Sequence, residues 1–282
     1  MQPTSQRNQH PLFSLPLIGA LALPLICLPG QSHGAGFQIS EVSVSGLGRA
    51  FAGAGVAGDD LSDMFYNPAG LHLSSGRGFH AGLSLIDSQT TFSGTATPFG
   101  GPSADGGETS VVPNLFYTFP ENGGLRYGIG LTAPFGLATE YAANWAGRYQ
   151  GLRSELTTID INPALSYMVS EKFSLGAGIS AQYADAELSQ ARFLGPGTPD
   201  GKSTVTGDNW AFGFNLGALV IPAPKTRIGL GYRSKIDQSV EGDLTVASPT
   251  GGLLANSGAK AEVSLPETVY LGLAQGIGDR VD

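Results

Sequence analysis

Apolar and polar residues alternate along most of the chain beyond residue 77. In residues 156–169 the apolar series is Ile159, Ile161, Pro163, Leu165 and Tyr167, with Asp160, Asn162 and Ser166 between. In 172–183 Phe173, Leu175, Ala177, Ile179, Ala181 and Tyr183 alternate with Ser174, Gly176, Gly178, Ser180 and Gln182. In 209–221 Trp210, Phe212, Phe214, Leu216, Ala218 and Val220 alternate with small or polar residues. A period of two is the signature of a strand with one face in an apolar medium. The longest run, 226–246, sets Ile228, Leu230, Tyr232, Ile236, Val240, Leu244 and Val246 against Arg227, Arg233, Lys235, Asp237, Glu241 and Asp243. Strands of soluble domains usually stop at about ten residues; a tilted barrel strand continuing above a bilayer does not.

Eight strands are expected, at 77–88, 109–119, 125–135, 152–169, 172–188, 209–221, 226–246 and 260–275. Short turns at 120–124, 170–171 and 222–225 alternate with long polar loops near 87–110, 136–150, 190–208 and 247–258. Short connections on one side and long ones on the other are the asymmetry of outer-membrane barrels. Tyr167, Phe173, Tyr183 and Trp210 sit near strand ends, where an aromatic girdle meets headgroups. Glu267 falls in the apolar series Val263, Leu265, Val269, Leu271, and Pro266 beside it predicts a bulge that shifts the register. The last residues, Gly278–Asp282, read as the start of a turn rather than a closing strand.

Composition supports the same class. The 282 residues carry 13% charged side chains and 42 glycines, against roughly 25% charged in a typical soluble domain. Beyond the N-terminus no window approaches the ~20 apolar residues of a membrane helix. The net charge of -8 argues against nucleic acid as a partner, which needs cations to neutralise phosphates. Residues 1–34 read as a signal peptide: Arg7 and His10, an apolar stretch through PLFSLPLIGALALPLICLPG, and small residues at Ser32 and Gly34 before Ala35. Cleavage there removes Cys27, the single cysteine, and with it any disulfide or thiol chemistry.

Residues 35–75 do not alternate. SVSGLGRAFAGAGVAG is small and apolar; DDLSDMFYNPAGL reads as a helical turn with Asp59 or Asp60 as N-cap, stopped at Pro68. Two such turns are too short to stand alone. They are expected to plug the lumen of the barrel formed by residues 76–282.

The chemistry-bearing candidates are few. Gly53, Gly55 and Gly58 match a dinucleotide fingerprint, but no strand precedes them and no parallel βαβ unit follows; close packing of the plug accounts for them better. His10, His33, His72 and His80 form no metal set, and no nucleophile triad is visible. No catalytic residue, metal or cofactor is expected. Arg233 and Lys235 fall on the inward face and could hold a carboxylate; pairing with Asp237 or Glu241 is the favoured reading. Leu253 and Leu254, in the fourth long loop, are either an external landing site for apolar ligand or loop packing.

AGFQISEVSVSGLGRAFAGAGVAGDD and FYNPAGL, followed in order by APFGLATEY, WAGRY, WAFGFNLGALV, LGYRSKI and LPETVYLG, resemble the outer-membrane long-chain fatty acid transporter family of the FadL/TodX type. The resemblance covers essentially the whole mature chain. It implies a fourteen-stranded monomeric barrel with a hatch, of which this sequence supplies the N-terminal eight strands. It implies passive uptake of hydrophobic compounds, fatty acids or aromatic hydrocarbons, by capture at outer loops, binding in the lumen and sideways exit into outer-membrane lipid. The exit lies beside a kinked third strand, where Gly128 and Gly130 are the expected kink. Asn67, Pro68 and Ala69 are the expected gap residues, and Phe37 is a ligand contact in the lumen. The alternatives are a structural or adhesive barrel, which would not require a plug, and an outer-membrane lipid-acting enzyme, which would require a triad.

Overall fold

The computed structural model describes residues 36–58, 60–94 and 101–276. These belong to one compact unit that begins at Gly34. The expected signal peptide, Asp59 and the terminal Gly278–Asp282 lie outside the described residues.

Among the described residues there are thirteen strands: β1 Gly78–Asp87, β2 Thr91–Phe92, β3 Ala104–Asp105, β4 Thr109–Thr118, β5 Leu125–Thr132, β6 Gly136–Glu140, β7 Arg153–Ser170, β8 Phe173–Arg192, β9 Gly201–Ala223, β10 Thr226–Arg233, β11 Ile236–Ala247, β12 Leu253–Leu265 and β13 Thr268–Gln275. The wall is an antiparallel meander in the order β1-β4-β5-β7-β8-β9-β10-β13, with β6 paired to β7, and β11 paired to β9 and β12. β2 and β3 form a small separate hairpin inside the expected first long loop. Eight wall strands result, as the alternation predicts, because the third, seventh and eighth are each interrupted into two segments.

The apolar series face outward. Phe79, Leu85, Ile179, Phe212, Leu230 and Leu271 are all exposed, Leu271 by 78%. The buried positions between them are polar: Asn162, Ser166, Ser174, Ser180, Gln182 and Asn215. This reversal of the globular pattern is what a lipid-facing wall with a wet interior requires.

β9 begins at Gly201, eight residues earlier than expected, because 201–208 pair with β8 and 202–208 with β11 as well. The alternation of 226–246 is not continuous. In β10 the buried positions are Gly229, Gly231 and Arg233; in β11 they are Ile236, Gln238 and Val240. The odd-numbered face points inward below Ser234–Lys235 and the even-numbered face above it. The same inversion occurs across Pro266–Glu267: Leu265 is buried, whereas Val269, Leu271 and Leu273 face outward. The two breaks lie opposite each other, since Arg233 pairs with Thr268 and Ile236 with Leu265. Glu267 therefore sits in a break rather than in the lipid-facing series.

Residues 36–75 pack on the inner face of the wall. Ser43 caps helix α1 (Val44–Gly48) by accepting the Gly46 N–H at 2.9 Å. Helix α2 (Asp63–Tyr66) ends at Asn67. Pro68 does not close the structure there; it opens a 3-10 helix, Pro68–Leu73, in which Asn67 Oδ1 accepts the Ala69 N–H at 3.1 Å. A first-turn proline needs no N–H partner. Between the helices, Gly53, Gly55 and Gly58 all have positive φ, and Asp63 accepts the N–H groups of Gly55 at 2.9 Å and Gly58 at 2.6 Å. The glycine spacing thus wraps a loop around a carboxylate of its own chain.

Candidate functional site

The third wall strand is broken at Ala133-Pro134-Phe135. Below the break β5 pairs with β7 from Leu125 to Thr132; above it β6 pairs with β7 from Gly136 to Glu140. Pro134 has no N–H to give a ladder. The break is held by side chain and by the N-terminal segment. Thr158, fully buried on β7, accepts the Phe135 N–H at 3.0 Å and donates to its carbonyl at 2.8 Å. The Ile39 N–H donates to the Pro134 carbonyl at 2.9 Å and the Gly136 N–H to the Phe37 carbonyl at 2.9 Å. Phe37–Ile39 therefore act as a three-residue surrogate strand across the interruption.

On the other side the wall opens. β4 pairs with β5 only from Leu115 to Thr118, so residues 109–114 have no ladder partner on that side. A groove of about 240 Å³ fills the space, lined by Ile39, Ile86, Val111, Val112, Phe135 and Leu137 among others. Gly128 and Gly130, the expected kink, lie instead in the continuous part of β5. A Cβ at Gly128 would press on Leu71 and Met64, and one at Gly130 on Phe116; these glycines make room for packing, and the bend belongs to Pro134.

Asn67-Pro68-Ala69 is not at this opening. Asn67 Nδ2 donates to the Ala218 carbonyl of β9 at 3.1 Å. The Ala69 carbonyl accepts from Ser166 on β7 and Ser174 on β8, at 3.3 and 3.2 Å. Gly176, Gly217 and Gly231 face the segment with no room for a Cβ, because the backbone of Tyr66–Ala69 and the Asn67 amide lie against them. The stretch fixes the N-terminal segment to β7–β10.

Phe37 rests on Phe135, ring centroids 5.9 Å apart. Phe135, Ile236 and Leu265 form one buried cluster, with Phe37 and Val263 packed against it. The cluster joins the break in the third strand to the paired breaks at Ser234–Lys235 and Pro266–Glu267. Below it lies a cavity of about 20 Å³, lined by Phe65, Phe135, Arg233, Ile236, Leu265 and Tyr270 among others.

Arg233 is buried, but its partner is neither Asp237 nor Glu241. Its Nη2 lies 2.5 Å from Asp160 Oδ2 on β7 and 2.9 Å from Ser180 Oγ on β8. Its guanidinium stacks over the Phe65 ring, 4.2 Å from the centroid. Lys235 is on the outer side of the break, exposed and 2.9 Å from Asp237. Leu253 and Leu254 are exposed at the start of β12, beside the turn closed by Ser248 and Gly252, rather than inside a long loop.

Sequence reasoning missed the loop cluster above the groove. Trp145 stacks on Tyr141 at 4.0 Å and meets Phe92 edge-on at 5.6 Å. Arg148 Nε and Tyr149 Oη both reach Asp200, at 2.9 and 2.7 Å, and the Tyr149 hydroxyl, then Arg148, hold the Asp200 carboxyl below the usual carboxylate range. The WAGRY stretch was the available signal.

An exposed apolar wall, a polar interior face and a segment packed inside it define an outer-membrane β-barrel wall with an internal plug. The family model described as outer membrane protein transport protein (OMPP1/FadL/TodX) matches residues 25–281, and the chain belongs to that family. It is 34% identical over 248 residues to the long-chain fatty acid transport protein of Escherichia coli O6:H1, covering 79% of this chain and 55% of that one. To the Salmonella typhi protein of the same description it is 31% identical over 279 residues, covering 88% and 64%. The chain thus spans less than two thirds of the length of these relatives. A crystal structure of a Pseudomonas aeruginosa FadL homologue superposes with a TM-score of 0.79 at 24% identity, over 87% of this chain and 67% of that one. The toluene transporter TbuX of Ralstonia pickettii superposes with a TM-score of 0.60 at 21% identity, over 78% and 64%. These likenesses show the fold.

Proposed function

We propose that this protein takes up hydrophobic compounds passively, and that they leave the lumen sideways through the break in the third strand. The observation that carries this reading is the groove beside Ala133-Pro134-Phe135, where β4 lacks a ladder partner and apolar side chains share the lining with hydroxyls and Glu155. An apolar solute gains roughly 25 cal/mol for each Å² kept from water, so exit into lipid avoids re-exposing it. The fatty acid and toluene transporters among its relatives support the substrate class. Residues 36–75 serve as the hatch: Phe37–Ile39 close the break by hydrogen bonds that can exchange for ligand entry, while Asn67-Pro68-Ala69 anchor the rest. The Trp145–Tyr141 cluster and exposed Leu253 and Leu254 form the outer capture surface.

The test is accumulation of labelled oleate and labelled toluene in an uptake-deficient outer-membrane strain. Wild type is expected to restore uptake of at least one, and Ala138→Trp, which fills the groove from β6, to abolish it while the barrel still assembles. Equal uptake by both proteins would remove the side exit; no uptake of either compound by wild type would overturn the reading.

A further inference from the structure

We propose that three inward side chains at the foot of the side opening, Ser84, Asn114 and Thr132, form a subsite for the hydroxyl group of an otherwise apolar molecule, an alkylphenol or a long-chain alcohol. The inference deepens the uptake reading and rests on it. The register brings the three together. Asn114 on β4 lies directly across from Gly82 on β1, and Ser84 follows two residues along the same inner face. Glycine at 82 lets the Asn114 amide spread over it: a Cβ there would stand 3.0 Å from both amide atoms. The β4–β5 ladder ends at Leu115↔Leu131, so Asn114 and Thr132 are the next residues on each bank, where the strands part. All three are buried, Asn114 and Thr132 at 3% exposure and Ser84 at 8%.

Among the described residues none of these groups has a hydrogen-bond partner: not the Ser84 hydroxyl, not the Thr132 hydroxyl, and neither atom of the Asn114 amide. Buried polar groups left unpaired are rare and costly, and a cluster of them marks a place that a ligand or water completes. The chemistry of the trio says what completes it. Asn114 calls for a donor to its Oδ1 and an acceptor for its Nδ2, whichever way the amide is turned. A hydroxyl is both; a hydrocarbon is neither, and a carboxylate only accepts. The body of such a molecule has room directly above. Ile86 and Val112, two residues along from Ser84 and Asn114, and Ala133, next to Thr132, line the groove of about 240 Å³ at the break. A cavity of roughly 150 Å³ already admits benzene, so the groove takes a substituted ring or a short alkyl chain.

The experiment is equilibrium binding to the protein expressed from its gene and purified in detergent, with three probes of one skeleton: 4-propylphenol, 4-propylanisole and propylbenzene. Each is corrected for its partition into protein-free micelles. Wild type is expected to hold the phenol at least about tenfold more tightly than propylbenzene, with the anisole, which accepts but cannot donate, between them. Asn114→Leu, nearly isosteric, is expected to erase that order while the urea midpoint stays unchanged or rises, since it removes an amide with no partner in the protein. A lowered midpoint would mark the amide as structural and overturn the proposal. Equal binding of the three probes by wild type would show that the trio holds water only, overturning the proposal and leaving the uptake reading standing. So would a folded Asn114→Leu variant that keeps the order. Binding of none of the probes by wild type would overturn the uptake reading and this inference with it.

Discussion

The side-chain amide of Asn162 donates to the backbone carbonyl of Ile179 at 2.9 Å. The pairings Ile161↔Ala181 and Ala164↔Gly178 place Pro163 opposite Ile179. Pro163 has no N–H, so that carbonyl would be an orphan inside the wall. Asn162 supplies the missing donor from one residue away, and is itself braced by Asn215 at 3.1 Å. A central-strand proline is tolerated here because its neighbour repairs the ladder.

Asn162→Leu is expected to destabilise the barrel by about 1–3 kcal/mol, the cost of an unmade buried hydrogen bond. Pro163→Ala restores a backbone N–H, so the double variant is expected to lose less than the sum of the two changes. Urea titration followed by the heat-modifiable gel shift measures both, and strict additivity would refute the repair.

Cavity loss should register at the cluster that joins the breaks. Phe135→Ala removes the ring that touches Phe37 and packs with Ile236 and Leu265. The expected cost is roughly 3 kcal/mol, with raised ion leakage in planar bilayers if the cluster constricts the passage, since it joins the third-strand break to those of the seventh and eighth strands. Unchanged conductance would show that this cluster does not constrict the passage.

Gly231→Leu places a side chain where the Tyr66 carbonyl lies. The N-terminal segment is expected to come off the wall while the sheet, whose outward face the change does not touch, still assembles. Limited proteolysis reads this directly: cleavage within residues 36–75 should become fast in the variant and stay slow in the wild type.

Two acids of the N-terminal segment, Asp63 and Asp60, are shifted in opposite directions. Burial pushes the Asp63 carboxyl up to about 6, against the pull of the Gly58 and Gly55 N–H groups. Burial also works to raise Asp60, but hydrogen bonds from Ser43, Ser62 and Ser45 outweigh it and hold its carboxyl below the usual range. A raised acid contributes full stability below its unfolded value and loses it as pH rises to the folded one; a lowered acid does the reverse. Packing of the segment should therefore weaken between about pH 4 and 6 by roughly 2–3 kcal/mol through Asp63, and weaken again under stronger acid through Asp60. Hydrogen exchange at the Gly55 and Gly58 amides across this range tests the sign, and Asp63→Asn should flatten the upper arm.

Much of this architecture was legible in the chain. Alternation in 156–183 and 209–221 placed the strands and their faces because one face meets lipid along the whole length. The N-terminal segment stood out because it lacked that period. Two things were hidden. The third-strand break was expected at Gly128 and Gly130, yet those residues only make room for Met64, Leu71 and Phe116; Pro134 carried the signal. The seventh strand inverts at Ser234–Lys235, a pair with no turn chemistry, and its cue lay in Pro266 of the neighbouring strand. Local spacing pairs Arg233 with Asp237 or Glu241 of its own run, whereas Asp160 reaches it from three strands away, a proximity set by wall curvature and register that local spacing does not encode.

The inversion at Ser234–Lys235 and Pro266–Glu267 behaves as a waterline. Beneath it β10 and β13 turn Leu230 and Leu271 outward, as a hull does in oil. Above it β11 and β12 turn Ile236, Val240 and Leu265 inward and send Glu241, Lys260 and Glu262 outside, the dress of a soluble hairpin. A half-step in the phase of a two-residue rhythm thus sets how deep the molecule rides in its membrane. An insertion or deletion of a single residue at this point would bring both halves of the strand into one phase and turn every side chain beyond it to the opposite face.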